Sequence, residues 1–276
     1  MPLSESEIGA FSAFEKAGWE KAAEPYHHHW GSLSAQSADA MLDAAGVVAG
    51  KDVLDVGTGA GYVAAAATRR GARATGLDFS AAQVELARRQ LPGTTFRQGD
   101  AENLPFGDGS FDAVVSGFTV NHLPHAERAF AEAFRVLRPG GRFAYTVWAP
   151  PEQSDGFGIV LKAIEAFGSA SASLPPAPPY FRFADPGEAH PVFAAAGFVD
   201  MSFVLVPQVW KHRSSDDLFD AFDKGAVRAT AMLRAEPPET RERIRIAVRA
   251  AVEALQSGGV YVIRVPAALA SGRRPG

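Results

Sequence analysis

Three glycines at alternate positions follow a short apolar run, and a carboxylate precedes them by two residues. The stretch DVLDVGTGAGYV places Asp55 before Gly57, Gly59 and Gly61. Glycine has no Cβ and adopts positive φ readily, so a turn with several glycines lets backbone approach a bound molecule closely. Because a carboxylate here would repel a pyrophosphate, the pattern favours a ligand with a cationic end.

The glycine spacing differs from that of a dinucleotide-binding turn. Such a turn carries G-x-G-x-x-G, whose third glycine allows close packing of helix against strand. Tyr62 stands at that third position, which speaks against a nicotinamide-dependent oxidoreductase. That class is kept as an alternative. In the plainer interpretation, the glycines form an ordinary tight turn and Asp55 is an ordinary strand-end residue.

Further acidic residues follow the next two predicted strands. Asp78 ends the run RATGLD, and Asp100 and Glu102 lie in GDAENLPF. Ligands of a parallel sheet bind outside the carboxyl ends of its strands, where these residues are expected. A carboxylate such as Asp78 can accept hydrogen bonds from both hydroxyls of a ribose. The alternative for Asp78 is a carboxylate that only flanks a helix.

These residues are positioned by strands that alternate with helices through the first half of the chain. Predicted helices over 60–71, 81–90 and 125–141 separate the strands. Alternation of this kind indicates a parallel sheet with helices on both faces. The five predicted strands are 51–57, 73–80, a short one within 94–106, 110–118 and 142–149.

The second half of the chain is less regular. Residues 171–185 are rich in Pro, Ser and Ala and predict a loop or lid. Pro191 is expected to delay or kink the helix in which it lies. The other predicted elements are that helix over 185–198, a sixth strand over 201–210, helical segments over 215–257 and a last strand over 258–272.

Five motifs in order resemble the class I S-adenosylmethionine-dependent methyltransferases, most closely the branch with the ubiquinone and menaquinone C-methyltransferases. They are D-x-G-x-G-x-G over 55–61, GLDFS over 76–80, GDAENLPF over 99–106, FDAVVSGFTVNHL over 111–123 and VLRPGGR over 136–142. The resemblance implies an α/β, Rossmann-like fold with a seven-stranded, mostly parallel sheet whose last strand is antiparallel. It also implies helices on both faces and helical lid insertions.

The resemblance implies S-adenosyl-L-methionine as cofactor and S-adenosyl-L-homocysteine as product. By this resemblance, Asp78 accepts hydrogen bonds from the ribose hydroxyls and Asp100 accepts one from the adenine amino group. The Ala101 amide would bind the adenine N1, and the Phe79 ring would cover the adenine. The carbonyl of Ser116 would meet the methionine end. The full predicted set of cofactor-binding residues is Tyr26, Trp30, Asp55, Gly57, Thr58, Gly59, Gly61, Asp78, Phe79, Asp100, Ala101, Glu102 and Ser116.

The resemblance also predicts one domain over 1–276. Residues 1–45 form an N-terminal lid or cap, in which Tyr26 and Trp30 contact the cofactor. Residues 46–150 form the cofactor-binding core. Residues 151–276 supply insertions, acceptor-site elements and the strands that complete the sheet.

The sequence says less about the residues that would bind the methyl acceptor. His122 follows the fourth strand, where the resemblance places residues near the methyl group, and histidine is the side chain best suited to take a proton near neutral pH. The alternative is a histidine that packs near a helix or faces water. Several aromatic residues could line an apolar acceptor pocket or belong to the core, which we favour for Trp210. They are Phe157, Tyr180, Phe181, Phe183 and Trp210.

Two arginines and a run of histidines are further candidates for ligand or metal binding. Arg182 and Arg228 could meet an acidic acceptor, although a solvated surface is the plainer position for both. The histidines of PYHHHW, residues 25–30, invite a metal site, but neighbours in sequence point in different directions and chelate poorly. We therefore predict no metal.

Composition excludes several classes. The chain has 276 residues and no cysteine, which removes disulfides, thiolate zinc sites and cysteine nucleophiles. With 27 Lys and Arg against 31 Asp and Glu, and no long basic run, a nucleic-acid or membrane surface is not expected. The segment SGFTVN (116–121) also lacks the motif of adenine N-methylating enzymes. No signal peptide or membrane span is evident, so a cytoplasmic protein is expected.

The sequence thus predicts transfer of a methyl group from S-adenosylmethionine to an oxygen or carbon of a small, apolar or aromatic acceptor by in-line displacement. A protein that keeps this fold but performs other chemistry, such as a pericyclic reaction, or only binds ligand, is the alternative. The acceptor and the oligomeric state are not determined by the sequence.

Overall fold

A computed structural model of the chain describes residues 3–168 and 174–276. Part of the predicted loop over 171–185, residues 171–173, lies outside the described residues. The strands are β1 (Asp52–Val56), β2 (Arg73–Asp78), β3 (Thr95–Gln98), β4 (Phe111–Gly117), β5 (Leu137–Trp148), β6 (Val199–Val206), β7 (Val209–His212), β8 (Gln256–Ser257), β9 (Val260–Arg264) and β10 (Ala267–Arg273).

The helices connect and cover these strands. They are α1 (Glu5–Ser34), α2 (Ala38–Ala44), α3 (Tyr62–Arg69), α4 (Ala81–Gln90), α5 (Ala126–Val136), α6 (Asp155–Phe167), α7 (Pro186–Ala195), α8 (Asp217–Gly225), α9 (Val227–Ala235) and α10 (Pro238–Glu253). Short 3-10 turns add Ala35–Ser37, Val120–His122 and Arg182–Ala184. The predicted helical region over 215–257 is therefore resolved into α8, α9 and α10.

Within the described residues, the main sheet has seven strands in the order β3-β2-β1-β4-β5-β10-β6. The pairs that join β3, β2, β1, β4 and β5 are parallel. The last strand, β10, lies antiparallel between β5 and β6. The predicted sheet is confirmed. Strand order reverses between β1 and β4, which places a ligand crevice at their carboxyl ends.

Two predicted strands are each divided in the structure. The predicted sixth strand over 201–210 is interrupted at Pro207, and the predicted last strand over 258–272 is interrupted at Pro266. Proline lacks the backbone N–H that a continuing ladder needs. The separated pieces β7 and β9 pair with each other in a second, small sheet that also holds β8. The prediction of two unbroken strands is wrong for this reason.

Two element boundaries also differ from the prediction. The helix expected over 125–141 ends at Val136, and β5 begins at Leu137 instead of at 142. Pro191 lies inside α7 and does not delay its start, since the helix already begins at Pro186. Pro186 is tolerated in the first turn because the N–H that it lacks would have no partner there. Asp185 caps this helix by accepting a hydrogen bond from the Gly187 N–H at 2.8 Å.

The central strands are buried on both faces. Leu54 and Val114 pack with β5 and α5 on one face, and Val53 and Val115 pack with α2 and α3 on the other. Near-continuous apolar strands of this kind are typical of a parallel sheet covered by helices on both sides. Among the helices of the described residues, none combines the length and apolar character needed to cross a bilayer.

Candidate functional site

A cleft of about 600 Å³ lies at the carboxyl ends of β1, β2 and β4. Its position is the one expected for a ligand site in a sheet of this order. The lining residues come from the strand ends, from α1 and from the segment before α5. They are Ile8, Ser12, Glu15, Lys16, Gly57, Leu77, Asp78, Phe79, Gln98, Gly99, Asp100, Ala101, Glu102, Thr119, His122, Leu123, Pro124, His125 and Arg128.

The glycine turn after β1 reaches this cleft through Gly57. All three glycines have positive φ, with 68° at Gly57, 53° at Gly59 and 86° at Gly61. The Gly57 N–H donates to the Leu77 carbonyl at 2.7 Å, so the turn is fixed to β2. Thr119, which is not among the predicted site residues, packs against Gly57 and donates to its carbonyl at 3.3 Å. Glycine is required here both by the backbone angle and by the neighbouring threonine.

Substitution of Gly57 by alanine is expected to destabilise the protein. A Cβ at this position would overlap the Thr119 side chain, and the φ of 68° is unfavourable for any L-residue with a side chain. We expect Gly57→Ala to lower the free energy of unfolding by at least about 2 kcal/mol. The measurement is chemical denaturation followed by circular dichroism.

The matched control is Gly140→Ala. Gly140 has a φ of 81°, but a Cβ there would meet no atom within 4 Å. Its cost should therefore reflect backbone angle alone, about 1 kcal/mol. Equal losses for the two variants would contradict the proposed crowding by Thr119.

Asp55 turns away from the cleft and into the glycine turn. Its Oδ2 accepts hydrogen bonds from Thr58 Oγ1 at 2.7 Å and from the Ala64 N–H at 3.1 Å. Burial raises the pKa of Asp55 to about 7, against the opposing effect of these two hydrogen bonds. Its Oδ1 has no partner among the described residues. Asp55 thus braces the turn, and any effect on a ligand would be electrostatic.

Asp78 stands in the wall of the cleft at the end of β2. Its carboxylate accepts from the Gly59 N–H at 2.9 Å and from the Ser80 N–H at 3.0 Å. Burial raises the pKa of Asp78 to about 6, and these hydrogen bonds oppose the shift. The side chain therefore connects the glycine turn to the start of α4 and presents a desolvated carboxyl to the cleft.

The loop after β3 supplies the far end of the cleft. Asp100 Oδ1 accepts from the Glu102 N–H at 2.8 Å, and Glu102 Oε1 accepts from the His125 N–H at 2.7 Å. Burial raises the pKa of Glu102 above its usual range. Phe79 and Ala101 line the cleft beside them. The structure thus brings Asp78, Phe79, Asp100, Ala101 and Glu102 to one cleft.

Helix α1 lies across the top of the cleft. Ile8, Ser12, Glu15 and Lys16 face into it. The same helix is attached to α4, because the Glu20 carboxylate accepts from the N–H groups of residues 81 and 82 at 2.7 and 3.1 Å. These contacts cover the cleft from the N-terminal side.

Glu15 and His122 meet where α1 crosses the segment after β4. His122 Nδ1 lies 2.9 Å from Glu15 Oε2, which also accepts from Trp19 Nε1 at 3.1 Å. Glu15 is only 3% exposed. A carboxylate at Nδ1 favours the tautomer with the proton on Nδ1, so Nε2 becomes the hydrogen-bond acceptor. The pair has the geometry of an oriented general base.

A second, smaller cavity of about 160 Å³ adjoins this pair, and His122 lines both spaces. We call it the aromatic cavity. Its walls come from α1, the ends of β4 and β5, α6, residues 180–181, α8 and α9. They are Trp19, Tyr26, Trp30, Phe118, His122, Trp148, Phe157, Leu161, Tyr180, Phe181, Phe222, Ala226, Val227, Arg228, Ala229 and Met232.

Phe118 occupies a strained position in the wall of the aromatic cavity. Its φ is 55°, in the left-handed region that residues with side chains rarely adopt. Its ring stacks on Trp148, with 3.8 Å between the ring centroids. Strain of this kind persists only where the surrounding structure holds it, and it is concentrated at functional sites.

The other predicted site residues are distributed as follows. Tyr26 and Trp30 line the aromatic cavity and not the cleft. The turn is held by hydrogen bonds that involve Thr58, Gly59 and Gly61. Ser116 is buried, and its hydroxyl donates to the Val56 carbonyl at 3.0 Å. None of the last four residues lines the cleft as the structure describes it.

The aromatic residues weighed for the acceptor side divide into two groups. Phe157, Tyr180 and Phe181 line the aromatic cavity. Phe183 and Trp210, each 3% exposed, belong to the core. Core placement was the favoured interpretation for Trp210 and is confirmed.

The two arginines considered for the acceptor site lie in different surroundings. Arg182 pairs with Glu127 at 2.7 Å and with Glu188 at 3.0 Å. Arg228 is half-buried in the wall of the aromatic cavity, so the favoured prediction of a solvated surface is wrong for this residue. His27 Nδ1 contacts Tyr62 Oη. In the part of the chain that the structure describes, no three His, Asp or Glu residues form a metal-binding group.

Residues 54–145 match the methyltransferase domain family. A demethylmenaquinone methyltransferase of Beutenbergia cavernae is 41% identical over 123 residues, which are 43% of this chain and 51% of the relative. A phthiotriol/phenolphthiotriol dimycocerosates methyltransferase of Mycobacterium tuberculosis is 48% identical over 105 residues, 37% of this chain and 39% of the relative. The chain thus spans about half the length, or less, of these curated relatives.

Among solved structures, the chain is similar to phosphoethanolamine N-methyltransferase 2 of Haemonchus contortus in complex with phosphomonomethylethanolamine and S-adenosylhomocysteine. The likeness covers 96% of this chain and 60% of that chain, with a TM-score of 0.57 and 16% identity. At that identity the likeness shows a shared fold.

Proposed function

We propose that this chain, whose residues 54–145 belong to the methyltransferase domain family in its menaquinone- and ubiquinone-like branch, transfers a methyl group from S-adenosylmethionine to a small aromatic acceptor. The observation that carries the proposal is the position of His122. It lines both the large cleft beside the glycine turn and the aromatic cavity. A methyl group presented from the cleft would reach the acceptor at this residue.

The cleft fits the cofactor in size and in chemistry. Its volume of about 600 Å³ is within the usual range for small-molecule sites. Asp78 would accept from the ribose hydroxyls, and Asp100 from the adenine amino group. Gly57 would let the backbone approach the ribose and the methionine portion. Phe79 supplies apolar surface for the adenine.

When bound, the cofactor would supply an electrophilic methyl group on its sulfonium, and breaking of that carbon–sulfur bond would leave S-adenosylhomocysteine. The chain positions the acceptor and excludes water through the aromatic walls, which is much of what an in-line displacement needs. His122 Nε2 would take the proton of an acceptor hydroxyl as its oxygen forms the new bond to carbon. Glu15 holds the ring in the required tautomer. The proposed acceptor atom is therefore an oxygen, with an activated aromatic carbon as the second possibility.

The N-terminal segment, residues 1–45, would serve as the cover of the site. Helix α1 contributes Glu15 and Lys16 to the cleft and Tyr26 and Trp30 to the aromatic cavity. Residues 46–150 would hold the cofactor. Residues 151–276 would shape the acceptor site through α6, α8 and α9.

The test is calorimetric titration with S-adenosylmethionine, S-adenosylhomocysteine and NAD, followed by product analysis. We expect the first two to bind and NAD not to bind. Incubation with single-ring phenols should then release S-adenosylhomocysteine in a one-to-one ratio with methylated product. Binding of NAD alone would contradict the proposal. Conversion of a substrate with no S-adenosylhomocysteine formed would favour the alternative, a protein of this fold with other chemistry.

A further inference from the structure

The aromatic cavity has one fixed charge in its wall. Of the described lining residues, Arg228 is the only one that is permanently charged, and no acidic residue is among them. A guanidinium beside aromatic and aliphatic surface loses hydration without gaining a counter-ion. The site therefore has a charge that its own walls do not neutralise.

The guanidinium of Arg228 is held in place but is only partly satisfied. Its Nη2 donates to the Pro175 carbonyl at 3.2 Å, and it lies 5.9 and 5.6 Å from the ring centroids of Phe11 and Phe14. Its Nη1 is buried and has no hydrogen-bond partner among the described residues. A buried donor without a partner is costly, so such a group in a cavity wall is suited to an anionic ligand.

The electrostatics of the neighbourhood agree with this. Burial lowers the pKa of the Arg228 guanidinium below its usual range, and the Glu15 carboxylate opposes that shift only in part. The hydrogen bonds of Glu15 with Trp19 and His122 both fall on Oε2, and its buried Oε1 has no hydrogen-bond partner among the described residues. Glu15 therefore acts on Arg228 through its charge, and the two side chains form no ion pair. An anion near Arg228 would remove the remaining imbalance.

The size of the cavity limits the ligand. Its volume of about 160 Å³ is close to the roughly 150 Å³ of an engineered apolar cavity that holds one benzene molecule. The walls are mostly aromatic, which suits the face and edge of another ring. One ring with a small substituent matches this volume.

From these observations we propose that the acceptor is a single-ring aromatic compound with a carboxylate, which Arg228 binds while the ring lies in the aromatic cavity. The inference rests on the proposed function and specifies its substrate class. Arginine suits a carboxylate because its planar fork matches the two oxygens. Arg228 would act in recognition, and His122 at the reacting oxygen.

The test compares benzoate with benzamide, a neutral compound of nearly the same shape, each titrated calorimetrically in the presence of saturating S-adenosylhomocysteine. In the wild type we expect benzoate to bind at least about tenfold more tightly, since hydrogen bonds to charged groups are among the stronger ones. Arg228→Gln should weaken benzoate binding about tenfold or more and change benzamide binding less than about twofold. Arg234→Gln is the matched control, an exposed arginine on the same helix, and should resemble the wild type.

The proposal is overturned if benzoate does not bind, if the wild type does not prefer it, or if Arg228→Gln weakens both ligands equally. If Arg228→Gln does not fold, Arg228→Lys keeps the charge without the fork, so the preference should fall severalfold and remain measurable. Titration of S-adenosylhomocysteine in the same samples separates the two proposals. Its failure to bind contradicts the proposed function, whereas its binding without a benzoate preference contradicts only this inference.

Discussion

Replacement of Asp78 by alanine is expected to weaken the binding of S-adenosylmethionine by at least about 30-fold. The carboxyl is buried in the wall of the cleft, and it would accept hydrogen bonds from two ribose hydroxyls. Hydrogen bonds to a charged acceptor contribute about 1.5–3 kcal/mol each, so the loss of both exceeds the range of an ordinary surface substitution. Calorimetric titration of the purified variant measures the effect.

A control must separate ligand contact from structural support, because Asp78 also accepts from the Gly59 and Ser80 N–H groups. Asp112→Ala provides it. Asp112 is partly buried near the amino-terminal end of the central strand β4, at the opposite end of the strands from the cleft, where it pairs with Arg138 at 2.8 Å. Its loss should lower stability and leave cofactor affinity within about twofold. Equal losses of affinity in both variants would contradict a ribose contact by Asp78.

The same contact should depend on pH. The pKa of Asp78 in the free protein is raised to about 6, so the carboxylate that the ribose hydroxyls require is present above that pH and is protonated below it. We expect the dissociation constant to rise as the pH falls below 6, by up to about tenfold per pH unit. In Asp78→Ala this dependence should be weaker, and what remains should come from Asp55 and Glu102, whose pKa values are also raised by burial. A wild-type affinity that stays constant from pH 7.5 to 5 would contradict the assignment.

The two halves of the site derive from different parts of the chain. The cleft is built largely from residues within 54–145, the region that matches the family. The aromatic cavity is built largely from α1, α6, α8 and α9, which lie outside that region. Similarity to relatives therefore supports the cofactor assignment, whereas the acceptor must be inferred from the cavity itself.

This division also explains what could be predicted from the sequence. The glycine turn, Asp78 and the loop at Asp100 were found because each is a local pattern placed by the alternation of strands and helices. Thr119 lies inside the motif over 111–123, and its place in that motif is the signal that could have identified it. Pro207 and Pro266 are also visible in the sequence, and each could have predicted the point at which a strand is interrupted.

The residues that were missed depend on long-range packing. Glu15 meets His122 across 107 residues of sequence, and nothing in the local pattern of α1 marks one buried glutamate among its charged neighbours. Arg228 was favoured as a surface residue because arginine is usually exposed. Its burial depends on how α1 and α9 pack together, which periodicity cannot give.

The pairing of Glu15 with His122 leads to the second large expected effect. For an acceptor identified by screening single-ring hydroxybenzoates for S-adenosylhomocysteine formation, His122→Gln should lower kcat by about 10²-fold to 10⁴-fold. Glutamine fills similar space but cannot take the proton from the acceptor oxygen. Affinity for S-adenosylmethionine, measured separately, should change little, because the residue assigned to the ribose is Asp78.

Glu15→Gln tests the positioning role. The amide oxygen can still accept from Nδ1, but the negative charge that stabilises the protonated ring is lost, so kcat should fall by about tenfold with KM nearly unchanged. The control is Glu24→Gln. Glu24 lies on the same helix as Glu15, and its loss removes an exposed ion pair with Arg89, which should leave kcat unaltered.

If His122→Gln retains full kcat, the acceptor does not depend on a base, and methyl transfer relies on positioning and exclusion of water alone. If Glu15→Gln raises KM and spares kcat, Glu15 contributes to binding and not to the orientation of His122.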